Sequence, residues 1–148
     1  MKTLPKNIKT GDIITTSVYT IPVVLHRGIA VVNSDDGKVN IYHICPDGKN
    51  QFGGSVLIEP LDKYLSKRNF IGIKSTGTTK EYIEKVYEIT KDKKFNLFTF
   101  NCEHFTSMIS NGFVLSPQLT FWYSTIIITS SALITAYLVH RFRYKAKK

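Results

Sequence analysis

Branched and aromatic residues recur in short blocks over the first half of the chain, separated by polar and glycine-containing breaks. Gly11 to Val18 (GDIITTSV) and Val23 to Val32 (VVLHRGIAVV) read as two strands with a loop at Tyr19 to Pro22 between them. Asn33 to Lys38 (NSDDGK) is a strong turn signal, and Val39 to Ile44 (VNIYHI) follows as a third strand, completing an antiparallel meander. Pro46 to Gly54 reads as loop, Val56 to Ile58 as a further short strand, Pro60 to Lys67 as a brief helix and Phe70 to Lys74 (FIGIK) as another strand. The period then changes. Thr78 with Glu81 fits a capping box, and Tyr82, Ile83, Val86, Tyr87 and Ile89 fall at helical spacing, which predicts a helix from Thr79 to Lys91. Asn101 is placed to cap a second helix carrying Phe105, Met108 and Ile109 on one face, with Asn111-Gly112 as its stop. Strands first and helices apart predict an α+β domain, an antiparallel sheet packed by helices.

The last part of the chain follows a different rule. No Asp, Glu, Lys or Arg occurs from His104 through His140, and Leu119 to Val139 reads LTFWYSTIIITSSALITAYLV. A helix over that segment is roughly 32 Å long, about the thickness of a hydrocarbon core. Phe121, Trp122 and Tyr123 crowd one end, and Arg141, Arg143, Lys145, Lys147 and Lys148 follow the other, a pattern suited to two membrane interfaces. The expected organisation is a domain over 1–118, a single transmembrane anchor over 119–140 and a basic tail over 141–148. The opening segment MKTLPKNIKTGD has no apolar h-region, so a cleaved secretory signal is not expected and the domain is placed in the cytosol. The basic tail pulls the other way, because the positive-inside rule holds it on the cytoplasmic face; a helix that dips without fully crossing reconciles the two.

Charge narrows the partners. The net charge is +9, and the five basic residues of the tail leave fifteen of the twenty Lys and Arg against eleven Asp and Glu elsewhere. That remainder is too diffuse for a nucleic-acid footprint, and no basic strand interleaved with aromatics accompanies it, so an anionic membrane surface is the expected partner. Two cysteines, Cys45 and Cys102, do not make a disulfide framework, and a cytosolic thiol is the natural alternative.

Cys102 falls at or near the first position of the helix capped by Asn101, where unsatisfied backbone N–H groups and the positive end of the dipole favour a thiolate. The bland reading of a lone cysteine is a small buried hydrophobe. His26 lies mid-strand, with Gly28, Ala30 and Val32 on the same face by alternation, and the small residues beside the imidazole leave room for the start of the Cys102 helix. A Cys–His pair is the expected result, with Cys102 as nucleophile and His26 as base. His43, on the next strand beside Ile41, is positioned to orient His26 as a third member. A rival grouping, His43-x-Cys45 with Cys102-x-His104, has the composition of a Cys2His2 zinc site but lacks the usual ligand gaps, so neither a metal nor another cofactor is expected.

Asn101-Cys102-Glu103-His104-Phe105 (NCEHF) resembles the signature of the lecithin:retinol acyltransferase-like family, which includes the small phospholipase A/acyltransferases. His26 to Val31 (HRGIAV) resembles that family's first histidine strand and Tyr42-His43-Ile44 its second, while Gly11-Asp12-Ile13-Ile14 matches its usual opening. The resemblance extends over about residues 9 to 148, including the anchor and basic tail. It implies a circularly permuted papain-like (NlpC/P60-related) fold in which Cys102 attacks an acyl ester of a glycerophospholipid. His26 then serves as general base and His43 as its orienting partner. The acyl-cysteine thioester passes to water, giving phospholipase A activity, or to an amine or alcohol. Arg27 departs from the pattern, which usually has an aromatic residue there. Two alternatives accompany this expectation: a thiol isopeptidase or amidase on the same fold, and a non-catalytic, membrane-tethered interaction module.

Overall fold

The computed structural model describes residues 7–18, 21–47, 53–66 and 68–145. Tyr19 and Thr20 of the first loop, residues 48–52 of the second, Lys67 and the end of the basic tail with Lys147 and Lys148 lie outside the described residues, as do residues 1–6 of the opening segment. The chain divides into two compact units, Met1–Leu115 and Ser116–Lys148.

The first unit is α+β. Strands β1 (Asp12–Val18), β2 (Ile21–Val32), β3 (Val39–Ile44) and β4 (Val56–Pro60) run as a meander; after the short helix α1 (Leu61–Leu65), β5 (Arg68–Ser75) returns to the far side of β1. The sheet order is β4-β3-β2-β1-β5, every neighbour antiparallel. Helices α2 (Lys80–Thr90) and α3 (Cys102–Asn111) complete the unit.

Both faces of the sheet are covered, which is why its strands read as apolar runs with little polar alternation. Ile13, Ile29, Val31, Tyr42, Ile44 and Val56 pack with Ile83 and Val86 of α2 and Phe105 and Ile109 of α3. On the opposite face Ile14, Ala30 and Ile41 pack with Tyr64 of α1. Gly28 explains how the Tyr64 ring comes so close: a Cβ at that position would lie 3.2 Å from both the Tyr64 ring and His43 Cβ, and closer still to Ile41.

Two expectations need correction. The α2 cap is Thr79, whose hydroxyl accepts from the Tyr82 N–H, and not Thr78, which bonds instead to Thr76 and to the Ile109 carbonyl. More consequentially, the element filling the space beside Gly28 and Ala30 is Tyr64 of α1, while α3 lies over the other face against Ile29. A five-residue helix with one aromatic side chain gives almost no periodic signal, so its role as a cover was hidden.

The second unit is the helix α4 (Pro117–Lys145). Over Pro117–Phe142, 26 residues, it is long and apolar enough to cross a membrane, with mean hydropathy 1.4. Five of its hydroxyl groups turn inward: Thr120, Ser124, Thr125, Thr129 and Thr135 each donate to the carbonyl four residues earlier.

Candidate active site

The start of α3 is fastened by four of the five residues of the NCEHF motif. Asn101 Oδ1 accepts from the N–H groups of Glu103 (2.9 Å) and His104 (3.1 Å), and His104 Nδ1 accepts from the Asn101 N–H at 3.1 Å. This reciprocal capping box uses histidine where Glu or Gln is usual, and it gives His104 a structural role that sequence alone did not assign. Glu103, buried, reaches Arg27 of β2 at 3.1 Å, and Phe105 is fully buried in the core. The departure at Arg27 therefore supplies the cation that ties α3 to the sheet.

Cys102 is the first residue of α3 and contributes no fastening of this kind. Its Sγ lies 3.9 Å from the Leu25 carbonyl oxygen of β2, one residue before His26. Burial pushes its thiol up to about 11, an effect that the nearby Arg27 and Glu103 backbone N–H groups oppose without reversing. The sequence expectation of a resting thiolate is thus corrected: desolvation outweighs the helix terminus, and the sulfur is protonated at neutral pH.

The histidines form a relay on the other face. His26 Nε2 is 3.1 Å from His43 Nδ1, and His43 Nε2 is 3.0 Å from Glu59 Oε2 of β4. Glu59 stands opposite Ile41 in the β3–β4 register, hence on the same face as His43. The Tyr64 ring closes the cluster, with its centroid 5.7 Å from that of His26 and 5.0 Å from that of His43. Burial pushes Glu59 up, but hydrogen bonds from Lys63 and His43 more than reverse it, so Glu59 is held below the usual range as a carboxylate. Burial lowers His26 well below its ordinary value, followed by the charges of His43 and Arg68. Burial and then Arg68 lower His43 to about 4, against the opposing pull of Glu59.

These observations fix the protons. A carboxylate only accepts, so His43 Nε2 carries the hydrogen toward Glu59, and its bare Nδ1 accepts from His26 Nε2–H. His26 Nδ1 is left with its lone pair, the position a general base needs. Among the described residues no hydrogen bond uses this nitrogen, on a side chain that is itself buried. In Glu59→Ala the tautomer preference should relax from roughly tenfold or more toward unity, a loss of about 1.4 kcal/mol. Nitrogen-15 NMR of the imidazoles at neutral pH reads this directly, and a protonated His26 Nδ1 in the wild type would overturn the assignment.

The site therefore comes in two parts. His26 and His43 are together, joined by Glu59, which sequence reasoning missed because its partner is set by strand register. Cys102 abuts the backbone of β2 at Leu25, and no hydrogen bond links its Sγ to His26 among the described residues. Among those residues no group of three or more His, Cys, Asp or Glu is arranged to hold a metal ion. Set against known proteins, the chain matches no family model, no curated protein and no solved structure.

Proposed function

We propose that this chain is a membrane-anchored thiol enzyme of the lecithin:retinol acyltransferase-like kind, on a circularly permuted papain-like fold, acting on glycerophospholipids. The observation that carries the reading is the Glu59–His43–His26 relay, which leaves one basic imidazole nitrogen on the residue next to the carbonyl that Cys102 touches. Since the thiol is neutral at rest, its proton moves to His26 Nδ1 as sulfur attacks the acyl carbonyl carbon. The Cys102 sulfur, whose charge when ionised is felt at Tyr64 beside His26, has to leave the Leu25 carbonyl and pass the β2 strand before this step. The tetrahedral intermediate collapses by breaking the ester C–O bond, and the imidazolium returns its proton to the departing alkoxide of the lysophospholipid. Water, activated by the same nitrogen, then cleaves the acyl-cysteine thioester; an amine or alcohol in its place gives acyl transfer.

Helix α4 anchors the domain in the bilayer that holds the substrate, with the domain on the cytosolic side. The anchor favours lipid esters over the peptide bonds of an isopeptidase. A non-catalytic tethered module is the competing reading, favoured by the neutral thiol and by its lack of a hydrogen bond to His26. Intact-protein mass spectrometry after brief exposure to phosphatidylcholine vesicles separates the two. A fatty-acyl mass added at Cys102 is the expected result; its absence, with no free fatty acid released, leaves the tethered module.

A further inference from the structure

Between α2 and α3 the chain makes a tight hairpin whose tip is apolar and exposed. Asn96 and Phe100 pair as an isolated antiparallel bridge, with backbone hydrogen bonds of 2.9 Å in both directions. The Asn96 side chain accepts from the N–H groups of Phe98 (2.9 Å) and Thr99 (3.0 Å), and Asn101 Nδ2 donates to the Leu97 carbonyl at 2.8 Å. The loop is therefore braced from both sides. Yet Leu97 and Phe98 are 42% and 52% exposed, while Phe95 and Phe100 at its base are buried. Two adjacent large apolar side chains held half-exposed at the tip of a braced loop are a surface that an apolar environment would cover.

The chemistry of the surroundings selects that occupant. A protein partner covers on the order of 800 Å² per side, with an apolar centre of many residues. Here the exposed apolar tip is Leu97 and Phe98, flanked along the chain by polar Asn96 and Thr99, and the preceding turn carries exposed Lys91, Lys93 and Lys94 against the single acid Asp92. A small apolar knob with lysines behind it matches the boundary of an anionic bilayer, where rings and alkyl chains enter the acyl region and ammonium groups stay among the phosphates.

We infer that the Leu97–Phe98 hairpin is a membrane wedge that inserts into an anionic lipid surface and seats the Cys102 end of α3 against it. Asn101 connects the wedge to the thiol mechanically, since it holds the Leu97 carbonyl with one side-chain atom and caps α3 with the other. Phe98 and Cys102 are four residues apart, so at most about 14 Å of chain separates them. The inference deepens the lipid-enzyme reading, but its test does not depend on turnover.

The wedge is tested in the full chain reconstituted in vesicles, with Phe98→Trp placed in a Trp122→Phe background so that position 98 carries the only indole. In phosphatidylglycerol/phosphatidylcholine vesicles with brominated acyl chains, fluorescence should fall at least twofold relative to unbrominated vesicles, with emission shifted to the blue. Quenching should weaken when the anionic lipid is omitted or salt is raised. Equal fluorescence in brominated and unbrominated vesicles would overturn the wedge, whatever the enzyme does. Leu97→Ser/Phe98→Ser should lower acyl release from vesicles about tenfold and leave that from dispersed short-chain phospholipid unchanged. An equal drop on both substrates would overturn the coupling to the site. A wild type without lipid turnover whose position 98 is still quenched would keep the wedge and reject the enzyme.

Discussion

Replacing Cys102 by Ser should abolish acyl release from phosphatidylcholine, lowering the rate by a factor on the order of 10³ or more. The substitution keeps the size and the N1 position, so the Asn101–His104 box and the Arg27–Glu103 pair remain and the fold should be unaffected. What changes is the nucleophile. Sulfur attacks well even when its proton leaves only during the reaction, whereas a hydroxyl with a far higher proton affinity needs a stronger base than an imidazole lowered by burial. The measurement is free fatty acid released per mole of protein from vesicles, with circular dichroism as the control for folding. Undiminished release by the variant would remove Cys102 from the chemistry.

Acid should unfold the first unit earlier than its carboxylates alone would dictate. His43 titrates at about 4 in the folded protein against an ordinary 6.5, and His26 is displaced in the same direction. Between those values the unfolded chain binds protons that the folded chain refuses, so stability is greatest above pH 6.5 and declines as the pH falls. Each group displaced in this way contributes a slope of about 1.4 kcal/mol per pH unit across its window, and His43 alone amounts to about 3 kcal/mol by pH 4. Glu59, held low by Lys63 and His43, adds a loss of the same sign. Urea unfolding of the full chain in detergent micelles at pH 7.5, 6, 5 and 4.5 gives the slope, and His43→Gln should flatten it. Stability that held constant or rose on acidification would show that the imidazoles are not buried as neutral groups.

Local patterns carried much of this architecture. Val39–Ile44 was legible as a strand because its branched and aromatic residues follow directly on a strong turn, and α3 because Asn101 and Gly112 mark both ends. The pairing of His26 with His43 followed from strand alternation combined with hairpin register. Three features lay beyond such reasoning. Glu59 meets His43 only because β4 pairs with β3 in one particular register, which the loop of Pro46 to Gly54 does not announce. Tyr64 covers the histidine face from a helix too short to show a period. The ionisation of Cys102 was misjudged because a helix terminus is visible in sequence while the depth of its burial is not. Each omission involves an interaction fixed by packing between elements distant along the chain.

The inward-bonded hydroxyls of α4 also limit what that helix can do sideways. With Ser124 and all four of its threonines donating along their own backbone, it offers neighbours mainly methyl groups, branched aliphatics and rings at those turns. At those turns lateral pairing with a second span is selected by contour and close fit, as hydroxyls already engaged gain little by exchanging one acceptor for another, which leaves Ser130 and Ser131 as the serine hydroxyls able to reach across.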